Sequence, residues 1–403
     1  MTITKEDDRL TVDFTGTSPE NSSPYNAHAQ AAIAHFSNFI YEYVFYDLPV
    51  SNATFASIDF VFPDNICLNP DARAATSNSV MVCTGLMSAS HNCMAKMQYC
   101  TDKWHQAGAS MANAGNGLVI AGMSQWGAPF ADLIAYALNT EGQGGRPVQD
   151  GMDAYGFPWC AFGRAPNVEL MENEFPIIVP FSQHWRDSCG HGLHRGGVGT
   201  AQLWVTHHVP LIYFTCISDN SRLQTPQPLF GGYNPCTVPG ISIRKSDVMQ
   251  RMMDGDPNLH LDLNELLAGH VSDGNWMVEF HGRATRSYDE GDVITVAFSA
   301  GGAGYGDALE RDPQDVLEDL KRNLISEHAC RNIYHVVYDS ETKRLDLEAT
   351  KQARADERAS RLKRGRPYDE FEQCWLKKQP SEDILHSYGS WPNAEIVAPV
   401  VRM

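Results

Sequence analysis

Residues 183–200, "QHWRDSCGHGLHRGGVGT", concentrate side chains that bind metals or transfer protons in one short stretch. Four ligand types that zinc accepts follow an H-x4-C-x-H-x2-H pattern, His184, Cys189, His191 and His194. Structural zinc sites usually pair their ligands as two short-spaced couples, and this spacing does not match that arrangement. The pattern leaves zinc binding open, beside the alternative that histidine and arginine side chains only fix the loop through hydrogen bonds.

The same stretch offers a nucleophile, since Cys189 lies close in sequence to histidines that could stabilise a thiolate. This is weak evidence, because sequence neighbours often point in different directions. The candidate catalytic residues are His184, Arg186, Asp187, Cys189, His191, His194 and Arg195. The glycines of the stretch are Gly190, Gly192, Gly196, Gly197 and Gly199. Because each glycine would cost a helix about 1 kcal/mol relative to alanine, the stretch is predicted to be a loop.

A second glycine-rich segment, residues 300–320, reads "AGGAGYGDALERDPQDVLEDL". Its glycines are Gly301, Gly302, Gly304 and Gly306. A glycine-rich turn at a helix start can bind phosphate, but this spacing fits neither the dinucleotide nor the P-loop fingerprint. Asp307 and Glu310 would also repel a phosphate. The segment is therefore predicted to be a backbone turn, with Asp312 capping a helix that begins at Pro313.

Two further patterns carry less information. His91, Cys93, Cys100 and His105 form a loose cluster of metal-ligand types, but two of them lie on a probable buried helix. A buried neutral histidine is more often a hydrogen-bonded core residue than a ligand. The basic run "RLKRGR" at 361–366 could bind an acidic partner, although most such runs are solvated faces.

These candidates require a scaffold, and apolar periodicity predicts one of strands flanked by helices. Alternation in "RLTVDFTG" predicts a strand near the amino terminus, whose partner strands could come from another polypeptide or from later parts of this one. Further strands are predicted within residues 57–62, 200–217, 275–284 and 292–299. Helices are predicted at residues 26–45, 79–98 and 346–364. The predicted fold class is α+β, with substantial antiparallel sheet, flanking helices and a helical carboxy-terminal extension.

The remaining segments are predicted to be irregular. Glycine and proline punctuate residues 111–167, which predicts loops on a rigid base. Beyond Gln379, the prolines at 380, 392 and 399 predict an extended arm.

Bulk properties exclude several classes of protein. With 31 basic and 49 acidic side chains in 403 residues, the formal charge of −18 repels nucleic acid and anionic lipid. The longest apolar run, "VPLIYFTCI", is about half of what a membrane span requires. The charged amino terminus lacks the apolar core of a secretory signal, and the ten cysteines have no framework spacing. A cytoplasmic protein without membrane or nucleic-acid partners is predicted.

Three stretches together resemble the hydantoinase B family of oxoprolinases, N-methylhydantoinases and ATP-dependent ketone carboxylases. They are "VDFTGTSPEN", "ENEFPIIVPFSQHWRDSCGHGLHRGGVGT" and "GGAGYGDALERDPQDVLEDLKRNLISEHACRNIYHVV". Their order and spacing agree with the family from about residue 9 to 340. Within it, "SNSVMVCTGLMSASHNCMAKM", "SCGHGLHRGG" and the long carboxy-terminal extension resemble the carboxy-terminal half of acetone carboxylase large subunits most.

The resemblance implies a subunit of an ATP-dependent carboxylase that joins a ketone and bicarbonate to form a 3-oxoacid. It implies ATP and a divalent metal in the complex, with manganese first and zinc or magnesium as alternatives, and none of these bound by this chain alone. The implied partners are a hydantoinase A-type ATP-binding subunit and a small zinc-binding subunit. Two alternatives stay open, a subunit of an ATP-dependent cyclic amidohydrolase acting on a hydantoin or oxoproline ring, and a non-catalytic structural subunit.

The resemblance also leaves a gap, since relatives carry metal-binding histidines and aspartates in an amino-terminal half that resembles "G-G-T-H-x-x-D". This sequence has no such stretch, so we expect either that a further polypeptide supplies that half or that this chain is a piece of a longer product, and no metal ligand is assigned to it. Residues 1–340 are predicted to be the hydantoinase B-like region and 341–403 an assembly tail. The loop at 184–199 is predicted to be a scaffold, in which Arg186, Asp187 and Arg195 make charge-assisted bonds.

Overall fold

The computed structural model describes most of the chain. The described residues are 1–111, 117–134, 140–156, 167–208, 210–217, 225–238, 240–259, 264, 272–279, 284–297, 301–380, 382–385 and 400–402. The chain divides into two compact units, the first formed by Met1–Leu86 with Arg311–Met403 and the second by Met87–Glu310. The division at residue 340 stays a prediction about the family region.

The described residues form helices and strands in a mixed order, with a run of strands in the middle and a run of helices near the carboxy terminus. The helices are α1 (Ala29–Tyr43), α2 (Ser79–Tyr99), α3 (Val168–Glu174), α4 (Val248–Met253), α5 (Pro313–Lys321), α6 (Glu327–Asn332), α7 (Leu347–Arg364), α8 (Tyr368–Leu376) and α9 (Glu382–Leu385). The strands are β1 (Thr2–Glu6), β2 (Arg9–Asp13), β3 (Ile58–Val61), β4 (Gly117–Met123), β5 (Pro129–Ile134), β6 (Ile177–His184), β7 (Thr200–Thr206), β8 (Leu211–Ile217), β9 (Gly240–Arg244), β10 (Asn275–Glu279), β11 (Ala284–Tyr288), β12 (Val293–Ala297) and β13 (Val400–Arg402).

The first unit contains a sheet with the strand order β1-β2-β3-β13. The predicted amino-terminal strand is β2, and its partners β1 and β3 both come from this chain. β2 and β3 are parallel, with Val12 opposite Phe60, whereas the other pairs are antiparallel. Helix α1 contributes Phe36, whose ring meets the Phe60 ring edge-on at 5.6 Å. Burial of these aromatic side chains drives the helix onto the sheet.

The second unit contains two sheets with the orders β10-β9-β12-β7-β6 and β11-β8-β4-β5. An apolar cluster joins their facing surfaces, with Trp204 and Ile177 from the first sheet and Ile120 and Leu211 from the second. Alternate residues of β7, such as Leu203, point to the opposite face and pack in a separate cluster with Val248 of α4. The loops at the ends of these strands therefore sit on a rigid double-sheet base.

One segment differs from the sequence-based expectation. Residues 111–167 were predicted to be loops, yet they contain the β4–β5 hairpin. Gly122 lies inside β4, where an added Cβ would approach the Pro210 carbonyl oxygen to 3.1 Å, so a glycine suits this strand position. The predicted arm beyond Gln379 falls largely on residues 386–399, which lie outside the described residues.

Helices combined with largely antiparallel sheets make the fold α+β, as predicted. Helix α5 begins at Pro313 and the Asp312 carboxylate accepts a hydrogen bond from the Gln314 amide at 2.8 Å, so the predicted cap is confirmed. None of the helices in the described ranges is long and apolar enough to cross a membrane.

Candidate functional site

The histidine-rich loop connects two paired strands of the second unit. β6 and β7 are antiparallel, and His184 at the end of β6 lies opposite Thr200 at the start of β7. The intervening residues 185–199 leave this hairpin and pass through a region where several glycine-rich segments meet. The Trp185 amide donates to the Gly199 carbonyl at 2.8 Å, which closes the base of the loop.

Three glycine-rich segments, residues 142–151, 188–199 and 301–306, form what we call the glycine cluster. The Gly190 amide donates to the Gly302 carbonyl at 2.8 Å, and the Gly302 amide donates to the Gly197 carbonyl at 2.9 Å. The Gly197 amide in turn donates to the Gln143 carbonyl at 2.7 Å. Buried backbone amides are thus paired across segments far apart in the sequence, as burial requires.

The cluster is too tight for side chains at most of its glycines. A Cβ added at Gly197 would overlap the Met152 carbonyl group, and one added at Gly302 would overlap the Gln143 carbonyl group. Further glycines whose added Cβ would lie within 3.0 Å of a backbone atom are Gly142, Gly144, Gly145, Gly151, Gly190, Gly192, Gly196, Gly301 and Gly304. The glycines therefore allow backbone segments to approach one another closely, as predicted for a scaffold.

Arg195 is a buried structural cation of this cluster. Its side chain is 3% exposed and donates to the Asp153 carboxylate at 2.8 Å through Nη1 and 3.4 Å through Nη2. Asp153 Oδ1 also accepts from the Val198 amide at 2.9 Å. The Arg195 amide donates to the Asp150 carboxylate at 3.0 Å. Charge-assisted bonds thus tie the loop to residues 150–153.

The other candidate residues have different exposures. Cys189 and His191 are buried, Arg186 and Asp187 are half-buried, and His184 is exposed. Asp187 adopts a left-handed backbone with φ of 61° in the turn after Trp185. His194 is partly exposed, and its Nδ1 lies 3.7 Å from Asp150 Oδ1. A partly exposed imidazole beside a carboxylate is an arrangement able to move protons.

The environment of Cys189 does not resemble that of a reactive thiol. Burial raises the pKa of the neighbouring Cys236 thiol far above its usual range, and Cys189 and Asp187 raise it further. Cys189 itself is 1% exposed. Reactive thiolates occupy electropositive and partly exposed places, so this pair of thiols favours packing over nucleophilic catalysis.

Metal-ligand types do not converge in the loop. Within the described part of the chain, the three side chains whose ligand atoms lie within 4.8 Å of one another are His207, His208 and Glu290. The loop at 184–199 contributes none of them, so it does not fit the divalent metal that the family resemblance implies.

The second loose cluster is also dispersed. Cys100 and His105 are exposed, Cys93 is half-buried and His91 is buried on α2. Burial, with a smaller contribution from Arg146, lowers the pKa of His91 from 6.5 to about 4. His91 is therefore a neutral core histidine at physiological pH.

Acidification should destabilise the second unit through His91. The unfolded chain takes up a proton near pH 6.5 and the folded chain only near pH 4, so stability is full above 6.5 and falls as the pH drops through this window. The loss is on the order of 3 kcal/mol at its low-pH end. Urea unfolding at pH 7 and pH 5 measures it, and His91→Gln should flatten the difference. An unchanged pH dependence in His91→Gln, like that expected of the exposed control His105→Gln, would contradict the assignment.

Sequence reasoning missed Asp150 and Asp153, because "QDGMD" carries no chemical pattern until it is placed beside Arg195. It also missed His207, His208 and Glu290. The adjacent histidines directly after a predicted strand were the available signal. Their carboxylate partner lies 82 positions from His208 and could not be paired with it by spacing.

Known proteins resemble the whole chain. It is 58% identical over 402 residues to the acetophenone carboxylase delta subunit of Aromatoleum aromaticum, covering 100% of this chain and 59% of that one. It is 22% identical over 406 residues to the acetone carboxylase alpha subunit of Xanthobacter autotrophicus, covering 97% of this chain and 50% of that one. The chain thus spans about half the length of the curated relatives it matches.

Solved structures share the fold. A nucleotide-free acetone carboxylase superposes with a TM-score of 0.85 at 21% identity, covering 96% of this chain and 52% of that one. An ATP-dependent caprolactamase from Pseudomonas jessenii superposes with a TM-score of 0.66 at 21% identity, covering 88% and 56%. The profile of the hydantoinase B/oxoprolinase family matches residues 1–308, which include the first two of the three stretches and the start of the third, and this confirms the family resemblance. The chain belongs to the hydantoinase B/oxoprolinase family.

Proposed function

We propose that the chain is a subunit of a cytoplasmic ATP-dependent ketone carboxylase that converts a ketone and bicarbonate to a 3-oxoacid. The observation that carries this proposal is the 58% identity to an acetophenone carboxylase subunit, which extends over the entire chain. A methyl ketone with an aromatic substituent is the first substrate to test, because the acetone carboxylase relative is only 22% identical.

Carboxylation requires ATP because bicarbonate is a poor electrophile and a ketone is a poor nucleophile. Phosphorylation makes bicarbonate an electrophile, and the ketone loses a proton from its α-carbon to become a nucleophile. The new carbon–carbon bond then forms as phosphate leaves. A divalent metal bound elsewhere in the complex would stabilise the enolate oxygen.

Partner polypeptides are part of the proposal. A hydantoinase A-type subunit would bind ATP, and a small subunit would bind zinc. The amino-terminal half of the hydantoinase B fold would supply the residues for the divalent metal. In support, the matched relatives include a delta subunit and an alpha subunit, names that belong to multi-subunit enzymes.

This chain would contribute a rigid wall and polar side chains. The glycine cluster and the Arg195–Asp153 pair fix the loop at 188–199. His194, beside Asp150, is the loop residue best placed to transfer a proton, because it is partly exposed. We propose His194 as a catalytic residue and the buried Cys189 and His191 as parts of the scaffold.

The complex isolated from its own source should consume ATP only when ketone and bicarbonate are both present. Acetophenone, acetone and buffer alone are compared with and without 13C-bicarbonate, and label in the 3-oxoacid is followed by mass spectrometry. Native mass spectrometry and elemental analysis of the same preparation identify the partner subunits and metal. ATP consumption with a ketone but without bicarbonate would contradict a carboxylase.

A second candidate function is ATP-dependent opening of a cyclic amide. It is favoured by the caprolactamase subunit beta of Pseudomonas jessenii, which is 30% identical over 218 residues, covering 53% of this chain. The same preparation distinguishes the two functions, since a lactamase consumes ATP with caprolactam or 5-oxoproline and needs no bicarbonate.

A non-catalytic role is separated from both by variants in the assembled complex. His194→Gln should abolish most turnover while native mass spectrometry shows an intact complex. His191→Ala should act through assembly. If both variants alter only assembly, the chain is a structural subunit and the catalytic part of the proposal is wrong.

A further inference from the structure

Two strand connections of the second unit meet at one end of its double sheet. Residues 207–210 lead from β7 to β8, and residues 289–292 lead from β11 to β12. Both connections pass from one sheet to the other. Ligand atoms of His207 and His208 on the first and Glu290 on the second all lie within 4.8 Å of one another.

The backbone beneath these three side chains is fixed by hydrogen bonds. The Thr206 amide donates to the Asp292 carbonyl at 2.9 Å, and the Gly291 amide donates to the Thr206 carbonyl at 2.9 Å. The His207 amide donates to the Pro176 carbonyl at 2.9 Å. Thr206 and Asp292 are buried, so the two connections are held in register below the exposed tips. Such support is what a preorganised site requires.

The two adjacent histidines lie side by side, which an extended strand would prevent. His208 adopts a left-handed backbone with φ of 67°, and the ring centroids of His207 and His208 are 3.7 Å apart. The His208 amide donates to Glu290 Oε1 at 3.3 Å, and His207 Nδ1 lies 3.7 Å from the same oxygen. The Glu290 carboxylate therefore faces both the His207 ring and the His208 backbone amide.

One ring nitrogen lacks a conventional partner. His207 Nδ1 is shielded from solvent and has no hydrogen bond to any described residue. A shielded polar atom is normally satisfied by a donor, an acceptor or an ion. Glu290 is 58% exposed and can rotate, so the separations seen here can contract to the span of ligands around one ion.

We propose that His207, His208 and Glu290 bind one divalent transition-metal ion of the zinc type. Two imidazoles and one carboxylate are a ligand set for zinc, and three protein ligands leave a fourth position for water or another oxygen ligand. Magnesium is a poor fit, because it requires oxygen ligands in octahedral geometry. The site goes beyond the proposed carboxylase function and involves only residues of this chain.

The supporting carboxylates around the site act in two ways. Asp292 is buried and accepts hydrogen bonds from the Lys245 amide at 2.7 Å and the Asp289 amide at 2.9 Å, so it is a structural acceptor. The Glu290 carboxylate adds negative charge beside the His207 ring, which favours a cation. The cation would be bound by Glu290 and held over a turn that Asp292 keeps rigid.

The chain of 403 residues, stripped of metal with a chelator, is titrated with Zn²⁺ by calorimetry and with Co²⁺ by visible absorption. One ion should bind per chain, and Co²⁺ should develop the d–d bands of a nitrogen- and oxygen-ligated site. Mg²⁺ in excess should not displace either ion. Absence of stoichiometric Zn²⁺ and Co²⁺ binding would overturn the proposal.

The variants keep the fold while removing ligands. His208→Asn retains a residue that tolerates a left-handed backbone, and Glu290→Gln retains an oxygen that accepts from the His208 amide. Each should weaken Zn²⁺ binding by at least about 100-fold, because even an outer partner of a ligand is worth about 10- to 100-fold. The exposed controls His105→Gln and Glu169→Gln should bind like the original chain. Unchanged affinity in both ligand variants would place the ion elsewhere and overturn the proposal.

Discussion

Replacement of Gly197 by alanine is expected to disrupt the glycine cluster and to destabilise the second unit by more than the about 1–3 kcal/mol of an ordinary overpacking substitution. The added Cβ would overlap the Met152 carbonyl group and also crowd the Asp153 amide nitrogen. All of these atoms belong to the backbone, so no side-chain rotation relieves the overlap. Met152 and Asp153 would have to move, which breaks the bond from the Gln143 amide to the Met152 carbonyl.

Hydrogen exchange measured by mass spectrometry reports this loss where it occurs. Peptides covering residues 188–199 and 301–306 should exchange rapidly in Gly197→Ala, and urea unfolding should shift to lower concentrations. Gly108→Ala is the matched control, because it lies in the same unit and its added Cβ meets only ordinary contacts, the nearest at 3.4 Å from Arg146 Cγ. Slow exchange of both peptides in Gly197→Ala would mean that the cluster yields easily and is not a rigid scaffold.

The glycines of the cluster show what the sequence could predict about it and what it could not. Glycine spacing at 190–199 predicted a loop with close backbone approach, and that part of the prediction needs only local conformational preferences. The glycine spacing could not identify which backbone segment approaches each glycine. Gly197 contacts Met152, and Gly302 contacts Gln143, and both partners are far away in the sequence. Glycine has no side chain whose chemistry could specify a partner.

Local signals predicted the regular elements more completely. The Asp312 cap and Pro313 fixed the start of α5, since both act within one helical turn. Alternating apolar residues predicted β2, but the pattern contains no information about which strands pair with it, and β1 was missed. Its "TITKE" sequence is mostly polar and nearly all of it is exposed, so periodicity had no buried face to detect.

In the candidate site, too, the sequence predicted single residues but not the distant residues that contact them. The sequence placed Arg195 in a charge-assisted bond, because an arginine among small residues must find an acceptor when it is buried. The acceptor, Asp153, lies 42 positions earlier and became visible only in the folded chain. The His207–His208 dipeptide is likewise evident in the sequence, whereas the proximity of Glu290 to it is not.

Replacement of Asp153 by alanine is expected to cost about 3–5 kcal/mol of unfolding free energy. Arg195 is 3% exposed and would keep its charge without the carboxylate that now accepts from Nη1 at 2.8 Å. The bond from Nη1 to the Gly196 carbonyl at 2.9 Å would remain, but a carbonyl does not neutralise a cation. The Val198 amide would also lose its acceptor.

Asp153→Asn separates these two losses, because it keeps an oxygen for the Val198 amide and removes only the charge, so its cost should be smaller than that of Asp153→Ala. The matched control is Asp71→Ala, which breaks the pair with Arg73 at 3.0 Å, where the two side chains are 47% and 91% exposed. Exposed pairs contribute about 0–1 kcal/mol, so this control should unfold almost like the original chain. Unfolding in urea, with hydrogen exchange of residues 188–199 as the local readout, measures all three variants. If Asp153→Ala and Asp71→Ala cost the same, water reaches Arg195 without its partner, and the buried pair does not hold the loop in place.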